Sequence, residues 1–256
     1  MKVRIWRDWS YILAVGAFVG CAGSDNPLAL ADLNPVIEVE IEADRIETFD
    51  EVEIHVHISE SGVPMLMSEV GFELSPADGG ETIVVTAEPA GEGYEAHVTF
   101  FKSGEYHLHI MGTPEGHRLS MEMGEMEIEV HRRHMLVGTY WVELDVSPAP
   151  VLPDTEGHVH LLVYDLADGA AGNPASGLDV ELEVHTPEGT ETHVPVTEHE
   201  AGEYEAEYHF VSSGLYELHL EISADGQTVE GEFHLPVIDL GSEETPDPDE
   251  GGEHGH

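Results

Sequence analysis

The chain has 256 residues, with 8 Lys and Arg against 53 Asp and Glu and a formal charge of −45 at pH 7. Such a surface repels phosphate backbones and anionic headgroups and concentrates cations, which argues against nucleic-acid binding. A single cysteine excludes an internal disulfide, while 18 histidines are the compositional anomaly. The acidity also matches proteins of salty habitats, where acids replace lysines.

Lys2, Arg4 and Arg7 form a basic start, followed by an apolar run from Tyr11 to Gly20. Ten residues are too few to span a bilayer, and the order is that of an export signal over residues 1–20. Phe18-Val19-Gly20-Cys21 resembles a bacterial lipobox, with Phe in place of the usual Leu. That resemblance implies a diacylglyceryl group on Cys21, and two or three acyl chains anchor stably where one is marginal. An ordinary signal peptide with an incidental Cys is the alternative. Ala22 rather than Asp follows the cysteine, the pattern of an outer-membrane lipoprotein in a Gram-negative cell. Removing residues 1–20 takes away three bases and one acid, leaving 5 bases against 52 acids and a charge of −47.

Residues 21–34 read as a tether. Two similar halves follow, 35–131 and 136–239, each long enough to bury its own core. In the first, Val36 to Ile41 alternates as a strand. Glu51 to Ile58 is a clear amphipathic strand, with Val52, Ile54, Val56 and Ile58 on one face and Glu51, Glu53, His55 and His57 on the other. Turn residues surround Gly62 and Asp78. Val70 to Leu74 and Thr82 to Ala87 read as strands.

A pair of strands, Tyr94 to Phe100 and Tyr106 to Ile110, reads as a hairpin around a Ser-Gly turn. It recurs without a gap at an offset of 110, as Tyr204 to Phe210 and Tyr216 to Leu220. Leu119 to Val130 closes the half, with a bulge predicted near Gly124, where the apolar parity changes. His131-Arg-Arg-His134 reads as the joint. Tyr140 to Val146 opens the second half, and His158-Val-His160 restates His55-Val-His57 at an offset of 103, which puts the extra residues in the loop Asp165 to Asn173. Residues 240–256, rich in Pro, Gly and acids, read as a disordered tail. No long 3.6-residue period occurs after residue 20. About seven short strands per half, broken by Gly and Pro, predict an all-β fold of two tandem immunoglobulin-like antiparallel β-sandwich domains.

The histidines carry the candidate chemistry. His55 and His57 share a strand face with Cα atoms about 6.6–7 Å apart. In a seven-strand sandwich the second and fifth strands are neighbours, so His97 joins them from the fifth. The matching set is His158, His160 and His209, which Glu207 or His193 could complete. His107 and His109 form another same-face pair. Met121 and Met123 offer soft thioethers, and Met also fills core gaps. Imidazole with carboxylate suits copper, zinc or nickel. An acidic protein also places His outward simply as an uncharged polar residue. For catalysis there is little: no Gly-x-Ser-x-Gly, no His-Glu-x-x-His and no phosphate-cradling loop, so the chain reads as a non-enzyme.

Each half follows one pattern: a strand, a Gly-x-Pro turn, an apolar strand, Tyr-x-Ala-x-x-x-Phe (preceded as Gly-x-Tyr by Gly202 in the second copy), then Ser-Gly-x-Tyr-x-Leu. This resembles the YtkA-like and FixH-like domains, extracytoplasmic β-sandwiches of small membrane-attached bacterial proteins. In that family the second aromatic is often Trp; here it is Tyr106 and Tyr216. The resemblance implies copper or cation handling near respiratory oxidases, without a ligand set that transfers. Two readings result. The first is a lipid-anchored protein on the periplasmic or cell-surface side of the envelope. It binds copper or another divalent transition metal through His clusters, as buffer or carrier, with a metal-handling or respiratory partner. The second is a structural or interaction module with no specific metal site.

Overall fold

The computed structural model describes residues 3–5, 35–43, 45–117, 120–166 and 172–239. Cys21, the tether and the acidic tail lie outside them, as do most of the extra loop and the start of the closing strand at Leu119. The chain divides into two units, Met1–Arg132 and Arg133–His256.

Unit 1 holds β1 (Val3–Ile5), β2 (Val36–Ile41), β3 (Ile46–Glu47), β4 (Glu51–Glu60), β5 (Val63–Pro64), β6 (Met67–Pro76), β7 (Ile83–Ala90), β8 (Gly93–Thr99), β9 (Gly104–Pro114) and β10 (Met121–His131). The hydrogen-bonded order is β1-β2-β4-β8-β7-β6-β9-β10-β3, with β5 on β4. The path is continuous because β7 serves both layers. Its Ile83 to Ala87 pair with β6, and its Glu88 to Ala90 pair with β8. All these pairings are antiparallel except β3 with β10.

Unit 2 holds β11 (Arg133–Val137), β12 (Tyr140–Ser147), β13 (Thr155–Asp165), β14 (Asn173–Pro174), β15 (Asp179–His185), β16 (Glu191–Val194), β17 (Val196–Glu200), β18 (Glu203–Phe210), β19 (Gly214–Ala224) and β20 (Gln227–Val237). One layer is β11-β12-β13-β18-β17 and the other is β16-β15-β19-β20. Here the switching strand is cut in two. Pro195, at the position of Val85, has no N–H for a ladder bond, so β16 stays with one layer and β17 with the other.

Alternation decides which side chains enter the core. Val52, Ile54, Val56 and Ile58 are buried on β4 while Glu51 and His57 are exposed. Phe100 and Phe210, matched in the two copies, are fully buried. Each apolar side chain taken from water contributes about 1.5–3 kcal/mol, and such an interior stabilises each unit by itself.

The repeated strand pair is not a hairpin. β8 bonds to β4 and β7, and β9 to β6 and β10. Ser103-Gly104 therefore carries the chain from one layer to the other, and so does Ser213-Gly214. Parity could not tell a turn within a sheet from a crossing between sheets, because either puts the apolar residues inside. Gly104 and Gly214 have φ of +138° and +135°, a region that glycine tolerates. The tyrosine after each crossing closes it: Tyr106 Oη donates to the Lys102 carbonyl at 2.9 Å, and Tyr216 Oη to the Ser212 carbonyl at 3.1 Å. This is the tyrosine corner of immunoglobulin-like sandwiches. The bulge predicted near Gly124 is present, as a register shift between Glu122 and Gly124.

Candidate functional site: the His–Glu sheet faces

Outward positions on neighbouring strands stand directly opposite one another, about 4.5–5.5 Å apart at Cβ. The cross-strand register therefore decides which histidines meet which acids. On β4 and β8, His55 is opposite Glu95 and Glu53 is opposite His97. The four make a square in which every edge joins an imidazole to a carboxylate. His55 touches Glu53 through Nε2. Its Nδ1 is 3.6 Å from Glu95 Oε2, while His97 Nε2 is 3.2 Å from Glu95 Oε1. Donor atoms of Glu53, His55 and Glu95 lie within 4.8 Å of one another. Glu95 thus gathers His55 and His97. His57 sits further along, opposite Glu38, with its ring against Gly93.

In unit 2 the acid at the centre is Glu205. His158 Nδ1 donates to its Oε1 at 2.7 Å, His199 Nε2 is 3.2 Å from Oε2, and His160 Nδ1 is 3.8 Å from Oε2. Glu207 adds a carboxylate 3.8 Å from His158 Nδ1. The Glu205 carboxyl is held below its ordinary range. The His158 hydrogen bond is the largest cause, desolvation opposes it, and the charges of His160, His199 and His158 add to it. His209 is not part of this group; it faces Asp154 at 3.1 Å. His199 takes the third place from β17.

The register also corrects the match between copies. His55 is opposite Glu95, and His160, not His158, is opposite Glu205. On strand position His160 replaces His55 and His158 replaces Glu53. The two His-x-His motifs are alike in sequence and displaced by two residues in the sheet.

The remaining candidates divide. His109 Nδ1 is 3.1 Å from Glu122, His107 Nδ1 is 3.6 Å from Glu125, and His109 Nε2 is 3.9 Å from the same Glu125 oxygen. His193 lies on the other layer of unit 2, 2.8 Å from Glu183. Met121 pairs with Gly112, and Met123 packs over that glycine beside Met67, partly buried against the core. The Met123 thioether is spent on packing. Strand alternation puts Glu95 and Glu205 on the outward faces but does not mark them as centres. Pro195, in cutting β17 from β16, hid His199.

No protein-family model and no curated protein matches the chain. Among solved structures, the Escherichia coli adhesin FdeC is similar at 16% identity and TM-score 0.29, covering 79% of this chain and 64% of its own. Invasin, a bacterial integrin-binding protein, is similar at 14% and TM-score 0.30, covering 79% and 39%. A chimeric titin Z1Z2 is similar at 11% and TM-score 0.27, covering 81% and 98%. The chain spans less than two thirds of the FdeC and invasin chains.

Proposed function

We propose that the protein is a non-enzymatic interaction module of the cell envelope, anchored through Cys21, that engages a partner through the outward faces of its sandwiches. The observation that supports this is where the ordered chemistry lies. His158, His160 and His199 gather on Glu205 across three strands of an open sheet face. A planar, multidentate anionic face recognises a surface, and its field selects a cationic one. The resemblance to YtkA-like and FixH-like domains points to a metal-handling or respiratory partner. A photo-reactive side chain at Glu207 gives one discrete adduct in native envelopes, and the same group at Asp225, in a turn, gives none. Identical adducts from both positions, or none from Glu207, sink the reading.

A second reading is favoured by a specific observation. Glu53, His55 and Glu95 in unit 1, and His158, Glu205 and Glu207 in unit 2, each bring three donor atoms within 4.8 Å. Such sets suit copper, zinc or nickel, held one per unit by a buffer or carrier. Calorimetric titration of residues 22–240, which omits His254 and His256, then shows one site lost in His55→Ala and another lost in His158→Ala at pH 7.5, both vanishing near pH 5 as imidazoles protonate. Weak, salt-sensitive heats alone exclude this reading.

A further inference from the structure

The β16-β15-β19-β20 layer of unit 2 carries a second, denser array, which neither reading above uses. Its outward residues run in rows across all four strands. One row is Glu191, His185, Glu217 and His234; the next is His193, Glu183, His219 and Glu232. Histidine and glutamate alternate along each row and along each strand. A third row, Glu181, Glu221 and Glu230, is all acid. Directly opposed like charges destabilise a sheet. The chain has no Lys or Arg after Arg133, so histidines, or cations from outside, are what can balance this face.

Within the array one triangle differs from the rest. Glu183 accepts from His185 Nε2 at 2.6 Å. A carboxylate can only accept, so Nε2 carries the proton and the neutral ring points its Nδ1 lone pair elsewhere. It points at Glu217, whose Oε2 is 3.9 Å away. From the other side, His219 Nε2 is 3.6 Å from Glu217 Oε2 and 3.4 Å from Glu232 Oε2. That nitrogen is shut off from solvent and makes no hydrogen bond. The two rings lie 4.1 Å apart at their centroids, tilted by 31°. Gaps of 3.6–3.9 Å are too long for hydrogen bonds. They are close to the ~3.3–3.5 Å edges of a tetrahedron whose bonds are about 2.0–2.2 Å. The His185 Nδ1 lone pair and the Glu217 carboxylate it faces repel unless a cation lies between them.

We infer that His185 Nδ1, His219 Nε2 and Glu217 Oε2 bind a divalent transition ion of the zinc class. Each of the three residues offers one donor atom within 4.8 Å of the others'. Glu232 stands beside His219 as a fourth oxygen, and Glu183 orients His185 from behind, as the outer carboxylate of a metal-bound histidine does. A cavity of about 140 Å³ adjoins His219 and is lined by Glu181, Glu183, Glu221 and Glu230, an anionic approach for a cation. The set is two imidazoles and one carboxylate, which favours zinc, copper or nickel over calcium or magnesium, whose shells are all oxygen.

The site is on the opposite layer from Glu205, so it succeeds or fails separately from either reading above. The test titrates Zn(II) into residues 22–256 carrying His254→Ala and His256→Ala, and reads Co(II) ligand-field absorption for geometry. His219→Ala and His185→Ala each lower the affinity of one zinc equivalent at least 100-fold. Glu183→Gln lowers it about 10–100-fold, the usual effect of losing an outer-shell partner. His158→Ala with His160→Ala leaves that equivalent and its Co(II) spectrum unchanged. Circular dichroism of every variant guards against unfolding, and Glu217→Gln supplies a near-isosteric second probe. Zinc stoichiometry and affinities that are unchanged by both His219→Ala and Glu217→Gln overturn the site. So does a doubly protonated His185 at pH 7.5, seen by ring-nitrogen NMR, with no zinc uptake; a proton is then the cation between the lone pairs.

Discussion

In unit 1, Arg45 lies 3.4 Å from Glu47 and Lys102 lies 3.2 Å from Asp78. From His134 onward the chain has 28 Asp and Glu, 11 His and no Lys or Arg. Yet the interiors match: Tyr94 and Tyr204, Phe100 and Phe210, and Tyr106 and Tyr216 are buried at equivalent places. The phenols even do the same work. Tyr94 Oη donates to the Met67 carbonyl at 3.2 Å and Tyr204 Oη to the Ala175 carbonyl at 2.9 Å. Apart from Arg133 at its start, unit 2 has no permanent positive charge, while unit 1 has Arg45 and Lys102 within its fold. In unit 2 the countercharge is histidine, which titrates between pH 5 and 8. Its electrostatics are adjustable by protons where those of unit 1 are partly fixed.

The shared frame is the first thing to break. Phe210 is fully buried, and Phe210→Ala removes about 3–5 kcal/mol of stability. After residue 21 the sole tryptophan is Trp141, so its fluorescence in denaturant reports unit 2. Phe210→Ala shifts that transition, and Phe100→Ala shifts the far-ultraviolet dichroism without moving it. Should Trp141 follow both substitutions equally, the two units unfold together and the comparison must be made on one cooperative body.

A position where the copies differ sharpens the frame itself. Gly93 in unit 1 corresponds to Glu203 in unit 2. A Cβ on Gly93 would lie 2.4 Å from the Val56 carbonyl oxygen and 2.9 Å from His57 Nδ1. Backbone must shift, so Gly93→Ala costs about 1–3 kcal/mol, the range for overpacking. Denaturant midpoints of residues 22–240 check this. An unchanged midpoint means β4 and β8 approach less closely than the structure has them.

The tyrosine corners test whether equal geometry means equal energy. Tyr106→Phe and Tyr216→Phe each remove a phenol that donates to a carbonyl four residues back. A loss of about 0.5–1.5 kcal/mol is expected for each. Tyr216 Oη also accepts from the Ser212 amide at 3.1 Å, so its variant sits at the upper end of that range. Urea denaturation of the two variants separates them.

Much of this frame was legible from residues. Alternation located the strands because a residue's face repeats every two positions, and the all-β immunoglobulin-like class follows from their number and breaks. Two things were not legible, for one reason. The Tyr94–Phe100 and Tyr106–Ile110 strands looked like a hairpin, and His158-Val-His160 looked like the copy of His55-Val-His57. Both errors concern partners across strands, which the pattern along one strand does not contain. The pairing of His160 with Glu205 and the arrival of His199 from β17 depend on register. The same holds for the His185–Glu217–His219 triangle, whose members come from two strands more than 30 residues apart in sequence.

The smallest expected effect bears most directly on the difference between the units. Glu183 is held below its ordinary value of 4.5, first by the His185 hydrogen bond; Glu205 is lowered likewise by His158. A depressed carboxylate contributes stability above about 4.5 that is lost as pH falls through its folded value. His185 is raised above 6.5, first by Glu183, against desolvation, with Glu191 and Glu217 also raising it. A raised histidine contributes stability below about 6.5 that is lost as pH rises through its folded value. The window in which both ends of the Glu183–His185 pair contribute is therefore about pH 4.5 to 6.5. The denaturant midpoint followed by Trp141 should rise from pH 8 toward 6 and fall below 4.5. The pair is well solvated, so the effect is small, and midpoints rather than intensities are compared because Trp141 stacks on His134 at 3.8 Å. His185→Gln flattens the rise between pH 8 and 6, while Lys102→Gln, which breaks an ion pair of unit 1, leaves it intact. A rise that persists in His185→Gln assigns it to the other histidines of unit 2, and equal flattening by Lys102→Gln abolishes the distinction between the units.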